Sequence, residues 1–157
     1  IGDFSEYLHH VLSSLNRTAP VLFEQELQNV KAYLQLEQLR FDDLRIEYRI
    51  EASNFFVPAL SVQPLVENAV KHGICGKEDS GTLVLTTREK EDCFEIIVED
   101  DGVGFDVANL PDDGEIHLGV QNVRQRLAAM VGGSLSVIST PGVGTTAIIR
   151  VPKEGSK

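Results

Sequence analysis

An aspartate at the end of an alternating segment is the strongest candidate for chemistry in this sequence. Apolar residues occupy alternate positions from 94 to 98, and Asp100 comes next on the same side of the predicted strand. A carboxylate aimed at a protein core costs several kcal/mol unless a donor satisfies it, and the exocyclic amine of a ligand is one such donor. Gly102 and Gly104 follow, and glycines permit a ligand to approach the backbone closely. An ordinary Asp-Gly turn is the alternative interpretation.

A second pair of polar residues lies one helical turn apart. Asn68 and His72 both fall at the border of the apolar side of a helix predicted over residues 58–71. An asparagine at such a border can offer its side-chain oxygen to a hard cation while its amide nitrogen donates to a phosphate. The alternative is that both are ordinary polar residues at the edge of a helix.

Two further stretches contain glycines that could meet an anion. Gly119 precedes a helix predicted over residues 119–131, and the unpaired amide groups of a first helical turn form an anion site. Arg124 and Arg126 follow on that helix, either near a phosphate or as solvated surface charges. The stretch 142–145, Gly-Val-Gly-Thr, is predicted as a hairpin turn. Neither stretch continues into the Gly-Lys-Ser/Thr of a Walker loop.

Hydrophobic periodicity predicts the elements that position these residues. Helices are predicted over residues 4–15, 24–41, 58–71 and 119–131, and strands over 44–50, 82–88, 93–100, 134–139 and 145–151. Residues 101–118 are predicted as a loop, and loops of that length are usually functional or mobile. From residue 44 onward, two helices on a mixed, mostly antiparallel sheet define an α+β fold, a two-layer sandwich preceded by helices.

The composition restricts the class of protein. The chain has 157 residues, 42% of them hydrophobic, and a net charge of -10, which suits one folded domain with a short appendage. Residues 88–115 hold eleven acidic and two basic side chains, which argues against nucleic-acid binding and leaves open a solvated face, a Mg²⁺ site or a basic partner. No apolar run approaches the roughly 20 residues that span a bilayer. Two cysteines without CxxC spacing indicate a reducing compartment.

Four motifs in this order resemble those of the GHKL superfamily of ATP-binding domains, which includes histidine kinases, DNA gyrase, Hsp90 and MutL. Residues 64–73, Pro-Leu-Val-Glu-Asn-Ala-Val-Lys-His-Gly, resemble the N box, and residues 100–104, Asp-Asp-Gly-Val-Gly, resemble the DxGxG box. Residues 118–127 resemble the second glycine box with its helix, and residues 142–145 match the last glycine turn. The wording of residues 63–73 and of 33–41, Tyr-Leu-Gln-Leu-Glu-Gln-Leu-Arg-Phe, is similar to that of LytS-type sensor histidine kinases.

The resemblance implies a Bergerat sandwich that binds ATP and Mg²⁺. By this likeness Asn68 would hold the Mg²⁺ that bridges the phosphates, and Asp100 would accept from the adenine amine. Residues 107–117 would form the ATP lid. The other residues implied to bind nucleotide are Lys71 and His72 near the phosphates, Gly102, Gly104 and Gly119 along the base and phosphate path, and Thr145 near the adenine. The candidate catalytic residues are Asn68, Glu67 and His72.

The same resemblance predicts the organisation of the chain and its partners. Residues 1–41 would be the end of a dimerisation or linker region, and residues 42–157 the ATP-binding catalytic domain. LytS-type kinases carry their phospho-accepting histidine in an Asn-Pro-His-Phe sequence, which is not present in this chain. We therefore expect a catalytic fragment that acts on a histidine of an upstream helix, with a response regulator downstream. It would be the cytoplasmic part of a membrane-anchored bacterial sensor, and a homodimer is left open.

Three other functions are alternatives to the histidine kinase. By resemblance, hydrolases of the gyrase or MutL kind place a water-activating carboxylate one turn before the N-box asparagine, where this sequence has Pro64. Glu67 is adjacent to Asn68, but on a helix it points about 100° away. A nucleotide-binding module without catalysis is the second alternative, which is favoured by His117 at a position that is usually glycine. Anti-sigma serine kinases are disfavoured by the two leading helices.

Overall fold

The computed structural model describes residues 19–74, 81–111 and 114–153. In chain order the elements are β1 (Val21–Leu22), α1 (Phe23–Arg40), β2 (Leu44–Ile50), β3 (Phe56–Val57), α2 (Gln63–Asn68) with a π-helical turn (Ala69–Gly73), β4 (Gly81–Glu89), β5 (Cys93–Asp100), a 3-10 turn (Val107–Asn109), α3 (Glu115–Val131), β6 (Ser134–Thr140) and β7 (Gly144–Pro152). The helix predicted over residues 4–15 lies outside the described residues.

Five strands form the main sheet in the order β2-β4-β5-β7-β6. β2 and β4 run parallel because α2 connects them, and every other neighbouring pair in this sheet is antiparallel. The register places Asp100 at the end of β5, opposite Leu83 on one side and Thr145 on the other. The mixed, mostly antiparallel α+β sandwich predicted from the sequence is confirmed.

The core lies between one face of this sheet and the three helices. Alternate residues of the central strands are buried on that face, as period-two patterning requires, and they include Leu83, Leu85, Ile96, Val98 and Ile149. The helices contribute Phe23, Val30 and Leu34 from α1, Val66 and Val70 from α2 and its π-helical turn, and Val123 and Leu127 from α3. The helix α1 therefore belongs to the same hydrophobic core as the sheet. The division of the chain at residues 41 and 42 stays a prediction.

A small antiparallel sheet joins the start of α1 to the segment before α2. In it Val21 pairs with Val57 and Leu22 with Phe56. The nearby rings of Phe23 and Phe55 stack with centroids 5.0 Å apart, and Phe55 stacks in turn on Phe94 at 4.6 Å. The strands β1 and β3 were not predicted, because two residues are too few to show an alternating pattern.

The helix predicted over residues 58–71 begins later than expected. Its first helical residue is Gln63, and Pro64 fits the first turn, where a proline removes no internal hydrogen bond. Leu60 has a φ of 60°, a left-handed conformation, so a right-handed helix that begins at Pro58 cannot continue through it. The predicted stop at Gly73 is close to the observed end, but the last turn is widened into a π-helix.

The helix predicted over residues 119–131 begins one turn earlier than expected, at Glu115. The pattern of Ile116, Val120, Val123 and Leu127 extends the apolar stripe back by one turn. The predicted loop is therefore shorter at its end, and the last part of the expected lid, residues 115–117, is helical. Gly132 ends the helix in a left-handed conformation with a φ of 67°, as its position predicted.

A buried carboxylate connects α1 to the start of α2. Glu26 is only 1% exposed and accepts hydrogen bonds from the backbone N–H groups of Leu60, Val62 and Gln63 at 3.1, 3.2 and 3.3 Å. Burial raises the pKa of Glu26, and the three N–H donors oppose that rise. These bonds hold the strained Leu60 in place and orient the first turn of α2.

Replacing Glu26 with leucine is expected to lower the free energy of unfolding by about 3 kcal/mol, because three buried N–H groups lose their acceptor. Urea unfolding followed by circular dichroism measures this loss. Glu24, exposed on the same helix, supplies the control, and Glu24→Leu should change stability by less than about 0.5 kcal/mol. A Glu26→Leu chain as stable as the native one would show that the carboxylate does not organise this segment.

Candidate functional site

One cavity opens between α2 with its π-helical turn, α3 and the inner face of the sheet. Its polar lining comes from Asn68, His72, Asp100 and Thr145. Its apolar lining includes Leu65, Val98, Phe105, Ile116, Val120 and Val137. A slot with apolar walls and a few convergent polar groups is the usual form of a small-molecule site. The structure thus brings together four residues that the sequence singled out from three distant segments.

Asp100 faces this cavity as a half-buried carboxylate. Its Oδ1 accepts from the backbone N–H of Gly102 at 2.9 Å, and the carboxylate also accepts from the backbone N–H of Thr145. Burial raises the pKa of Asp100 from 3.8 to about 6, and the neighbouring Asp101 adds to the rise while the two N–H donors oppose it. The carboxylate therefore retains capacity to accept from a ligand, and protein donors offset only part of its desolvation.

Glycine at position 73 is required by this carboxylate. A Cβ atom placed on Gly73 would lie 2.7 Å from Oδ1 of Asp100, closer than real contacts allow. The π-helical turn that ends in Gly73 thus passes directly against the acid. The backbone N–H of Val103 donates to the carbonyl oxygen of Gly73 at 3.2 Å, which holds the turn there.

The glycines that follow Asp100 make their close contacts with protein backbone. A Cβ on Gly102 would lie 2.3 Å from the carbonyl carbon of Gly73, and a Cβ on Gly104 would lie 2.1 Å from the carbonyl oxygen of Thr140. Gly104 also has a φ of 65°, which side chains rarely adopt. Neither glycine is among the residues that line the cavity. Contact of Gly102 and Gly104 with a ligand stays a prediction.

Asn68 and His72 form the second polar part of the cavity. Asn68 is the last residue of α2 and His72 lies in the π-helical turn, so the two face the same space as the helical spacing predicted. The buried Nε2 of His72 makes no hydrogen bond, and Oε2 of Glu115 lies 3.5 Å from it, an ion-pair distance too long for a good hydrogen bond. An unsatisfied buried nitrogen beside an asparagine is suited to an oxygen-rich anion.

The anion site predicted at Gly119 is corrected by the position of α3. Because α3 starts at Glu115, and the N–H of Leu118 already donates to the carbonyl oxygen of Gly114 at 3.0 Å, Gly119 lies inside the helix rather than before its unpaired first turn. A Cβ on Gly119 would lie 3.6 Å from Nδ2 of Asn68, so this glycine borders the asparagine. A role of Gly119 near a phosphate stays a prediction, which its position beside Asn68 supports.

The other predicted charged residues lie away from the cavity lining. Lys71 is exposed, and Glu67 is half-buried and also outside the lining, so their assigned roles stay predictions. Arg124 donates from Nε and Nη2 to the carbonyl oxygen of Leu135 at 3.3 and 3.2 Å. It therefore ties α3 to β6, and the expectation that it approaches a phosphate is not supported.

Ser139 is not among the predicted site residues, although strand parity could have identified it. It follows Leu135 and Val137 on the inner side of β6, and its Oγ lies 2.7 Å from Oγ1 of Thr145. Phe105, Ile116 and Val120 were also missed as lining residues. Ile116 was missed because α3 was predicted to begin at residue 119 rather than at Glu115.

The described residues hold no preformed multidentate metal site. Within residues 19–74, 81–111 and 114–153, no three or more His, Cys, Asp or Glu side chains are grouped so that they could hold a metal ion. Over the same ranges, no helix has both the length and the apolar character needed to cross a membrane.

Comparisons with known proteins agree with this geometry. The family model described as "Histidine kinase-, DNA gyrase B-, and HSP90-like ATPase" matches residues 59–155. YwpD of Bacillus subtilis is 34% identical over 151 residues, which cover 92% of this chain and 54% of that protein. The sensor protein LytS of Staphylococcus epidermidis is 30% identical over 159 residues, covering 92% of this chain and 27% of LytS. The chain thus spans about half of the first relative and about a quarter of the second.

Solved structures show the same fold. The histidine kinase domain of the Erythrobacter litoralis EL346 blue-light activated kinase has a TM-score of 0.70 at 21% identity, covering 96% of this chain and 73% of that one. The catalytic domain of the histidine kinase ThkA has a TM-score of 0.62 at 13% identity, covering 86% and 95%. Because the family model matches more than half of the chain, this chain belongs to the histidine kinase-, DNA gyrase B- and HSP90-like ATPase family.

Proposed function

We propose that this domain holds MgATP so that its γ-phosphoryl group can be transferred to a histidine imidazole on a separate helix of the same signalling protein. The observation that carries the proposal is one cavity lined both by the half-buried Asp100 carboxylate and by Asn68 with His72. Such a cavity offers an acceptor for an amine and polar groups for an anion. Phosphoryl transfer requires mainly positioning and charge neutralisation, so a protein nucleophile in this domain is not needed.

The adenine is assigned to the Asp100 part of the cavity. An ionised carboxylate there accepts from the exocyclic amine, and the apolar side chains of Val98, Ile116 and Val120 suit the faces of a base. Thr145 borders the same region from β7, because it is the cross-strand partner of Asp100. Gly102 and Gly104 support this part of the site by packing the backbone beneath it.

The phosphates are assigned to Asn68 and His72, with Gly119 beside Asn68 and the exposed Lys71 next to His72 in the same turn. The residues fit a Mg²⁺ ion carried by ATP, because Mg²⁺ usually takes one or two protein oxygens and completes its shell with phosphate oxygens and water. Asn68 would supply its side-chain oxygen, and Nε2 of His72 would donate to a phosphate oxygen. When bound, Mg²⁺ neutralises charge on the transferring phosphoryl group.

A hydrolase is less well supported than a kinase. The position one turn before Asn68 is Pro64, which has no side chain that could activate a water molecule. Glu67 is not among the lining residues, and neither is Glu115, the carboxylate that approaches His72.

The proposal extends to the whole protein. It would be a two-component sensor anchored in a bacterial membrane, with this domain on the cytoplasmic side. A dimerisation helix would carry the histidine, and a response regulator would act downstream. Glu67 would act as an accessory group at the N box.

Phosphoryl transfer tests the proposal directly. The chain, incubated with radiolabelled MgATP and a purified dimerisation helix of a LytS-type kinase, is expected to label the histidine of that helix. Asn68→Ala should reduce labelling by at least about a hundredfold, because the metal and phosphates lose their side-chain ligand. Asn54→Ala, an exposed asparagine outside the site, should label normally. Release of free phosphate without labelled helix would indicate a hydrolase, and ATP binding without either would indicate a non-catalytic module.

Substitution of the acid tests the adenine assignment. Asp100→Asn is expected to weaken ATP binding by at least about tenfold, because a charged hydrogen bond to the amine is replaced by a neutral one. Isothermal titration calorimetry gives the affinity, and thermal unfolding shows that the variant is folded. The control is Asp101→Asn, an exposed neighbour whose carboxylate accepts from the backbone N–H of Thr82 instead. Equal affinities for native and Asp100→Asn chains would contradict the assignment.

The raised pKa of Asp100 predicts a pH dependence of binding. Because burial favours the protonated acid, the free protein takes up a proton as the pH falls through about 6, and the protonated acid is a poorer acceptor for the amine. ATP affinity of the native chain should therefore decrease between about pH 7.5 and pH 5 more than that of Asp100→Asn, which cannot titrate there. Comparing the two chains at each pH cancels the titration of the ATP phosphates. Parallel pH profiles would contradict the prediction.

A further inference from the structure

Ser139 joins three segments next to the cavity without lining it. Its Oγ accepts from the backbone N–H of Phe105 at 2.9 Å, donates to the carbonyl oxygen of Gly144 at 3.2 Å, and lies 2.7 Å from Oγ1 of Thr145. Phe105 and Thr145 both line the cavity. The serine therefore contacts two residues that would surround a bound base while standing behind them on β6.

The number of protons available determines the direction of these hydrogen bonds. The hydroxyl of Ser139 has one hydrogen and two lone pairs. The N–H of Phe105 can only donate and the carbonyl of Gly144 can only accept, so these contacts occupy one lone pair and the single hydrogen. The remaining lone pair can bond Thr145 only if the threonine donates its own hydrogen. This is the one assignment in which all three contacts are hydrogen bonds.

Because the hydroxyl of Thr145 donates its only hydrogen to Ser139, it can only accept hydrogen bonds from a ligand in the cavity. Asp100 stands opposite Thr145 in the register, and its ionised carboxylate is also an acceptor. That part of the cavity therefore presents acceptors without a hydroxyl donor. An exocyclic amine on a purine can donate hydrogen bonds to these acceptors. A keto oxygen in the same position would be repelled by their lone pairs.

We propose that Ser139 is a positioning residue for base specificity: by fixing the Thr145 hydroxyl as an acceptor, it makes the site prefer a purine with an exocyclic amine over a purine with a keto oxygen. This inference rests on the proposed function, because it assumes that a purine nucleotide occupies the cavity. In this proposal, Ser139 influences the choice of base without contacting it, because it acts through Thr145.

The test compares ATP with inosine triphosphate, which carries a keto oxygen in place of the amine. Dissociation constants for both nucleotides are measured by calorimetry at a pH well above the pKa of Asp100, for the native chain, Ser139→Ala and Thr145→Val. The ratio of the dissociation constant for inosine triphosphate to that for ATP should be about three- to tenfold lower in Ser139→Ala and in Thr145→Val than in the native chain. A change of this size is the effect of one hydrogen bond. Ser136→Ala is the matched control, because Ser136 lies on the same strand and its Oγ is near Arg150 on the other face of the sheet.

A purely structural role of Ser139 would weaken both nucleotides equally and leave the ratio unchanged, which would overturn the inference. Thr145→Val tests the same point if Ser139→Ala does not fold: a rise in its ratio would mean that Thr145 donates into the cavity, and would also overturn it. The double variant should show no further fall, since both changes remove one interaction. Failure of the proposed function is distinguishable. Without phosphoryl transfer the histidine of the supplied helix stays unlabelled whatever the ratio is, and without a nucleotide site the native chain binds neither nucleotide.

Discussion

The site depends on how closely three backbone segments pack around the Asp100 residue. A Cβ atom on Gly73 would lie 2.7 Å from the Asp100 carboxylate, and one on Gly144 would lie 2.1 Å from the Asp100 carbonyl oxygen. Gly102 packs against Gly73 in the same region and donates its N–H to the carboxylate. The end of β5, the π-helical turn and the β6–β7 turn can meet only because these positions lack side chains. The glycines of the motifs allow the backbone segments to pack closely, and this packing in turn shapes the site.

This close packing has an electrostatic consequence. Protein segments that surround Asp100 remove water from it, which raises the pKa of its carboxyl to about 6 and leaves the ionised form poorly compensated. Under the proposed assignment, the amine of a ligand would supply a further donor to this carboxylate. Across the cavity, the buried Nε2 of His72 makes no hydrogen bond. The polar groups of the site are thus incompletely satisfied in both regions, and the purine nucleotide that we propose as the ligand would complement both.

The N-box helix is also positioned from outside the sheet. Glu26 on α1 binds three N–H groups at the start of α2, and Asn68 and His72 lie at the other end of that short helix and its π-helical turn. A displacement of α1 would therefore act on the segment that carries the phosphate-binding candidates. Arg124 makes an equivalent connection on the opposite side by tying α3 to β6. The cavity is bounded by helices whose positions are set by polar contacts as well as by the core.

Local patterns in the sequence were enough to predict the main strands, the inward direction of Asp100 and the common side of Asn68 and His72, because periods of two and 3.6 residues are local properties of the backbone. It also indicated the family, through four motifs in order. The start of α3 at Glu115, the burial of Glu26 and the contact between Ser139 and Thr145 were decided by tertiary structure. Glu26 meets Leu60 across 34 positions of sequence, and no local period reports a contact between segments that only folding brings together.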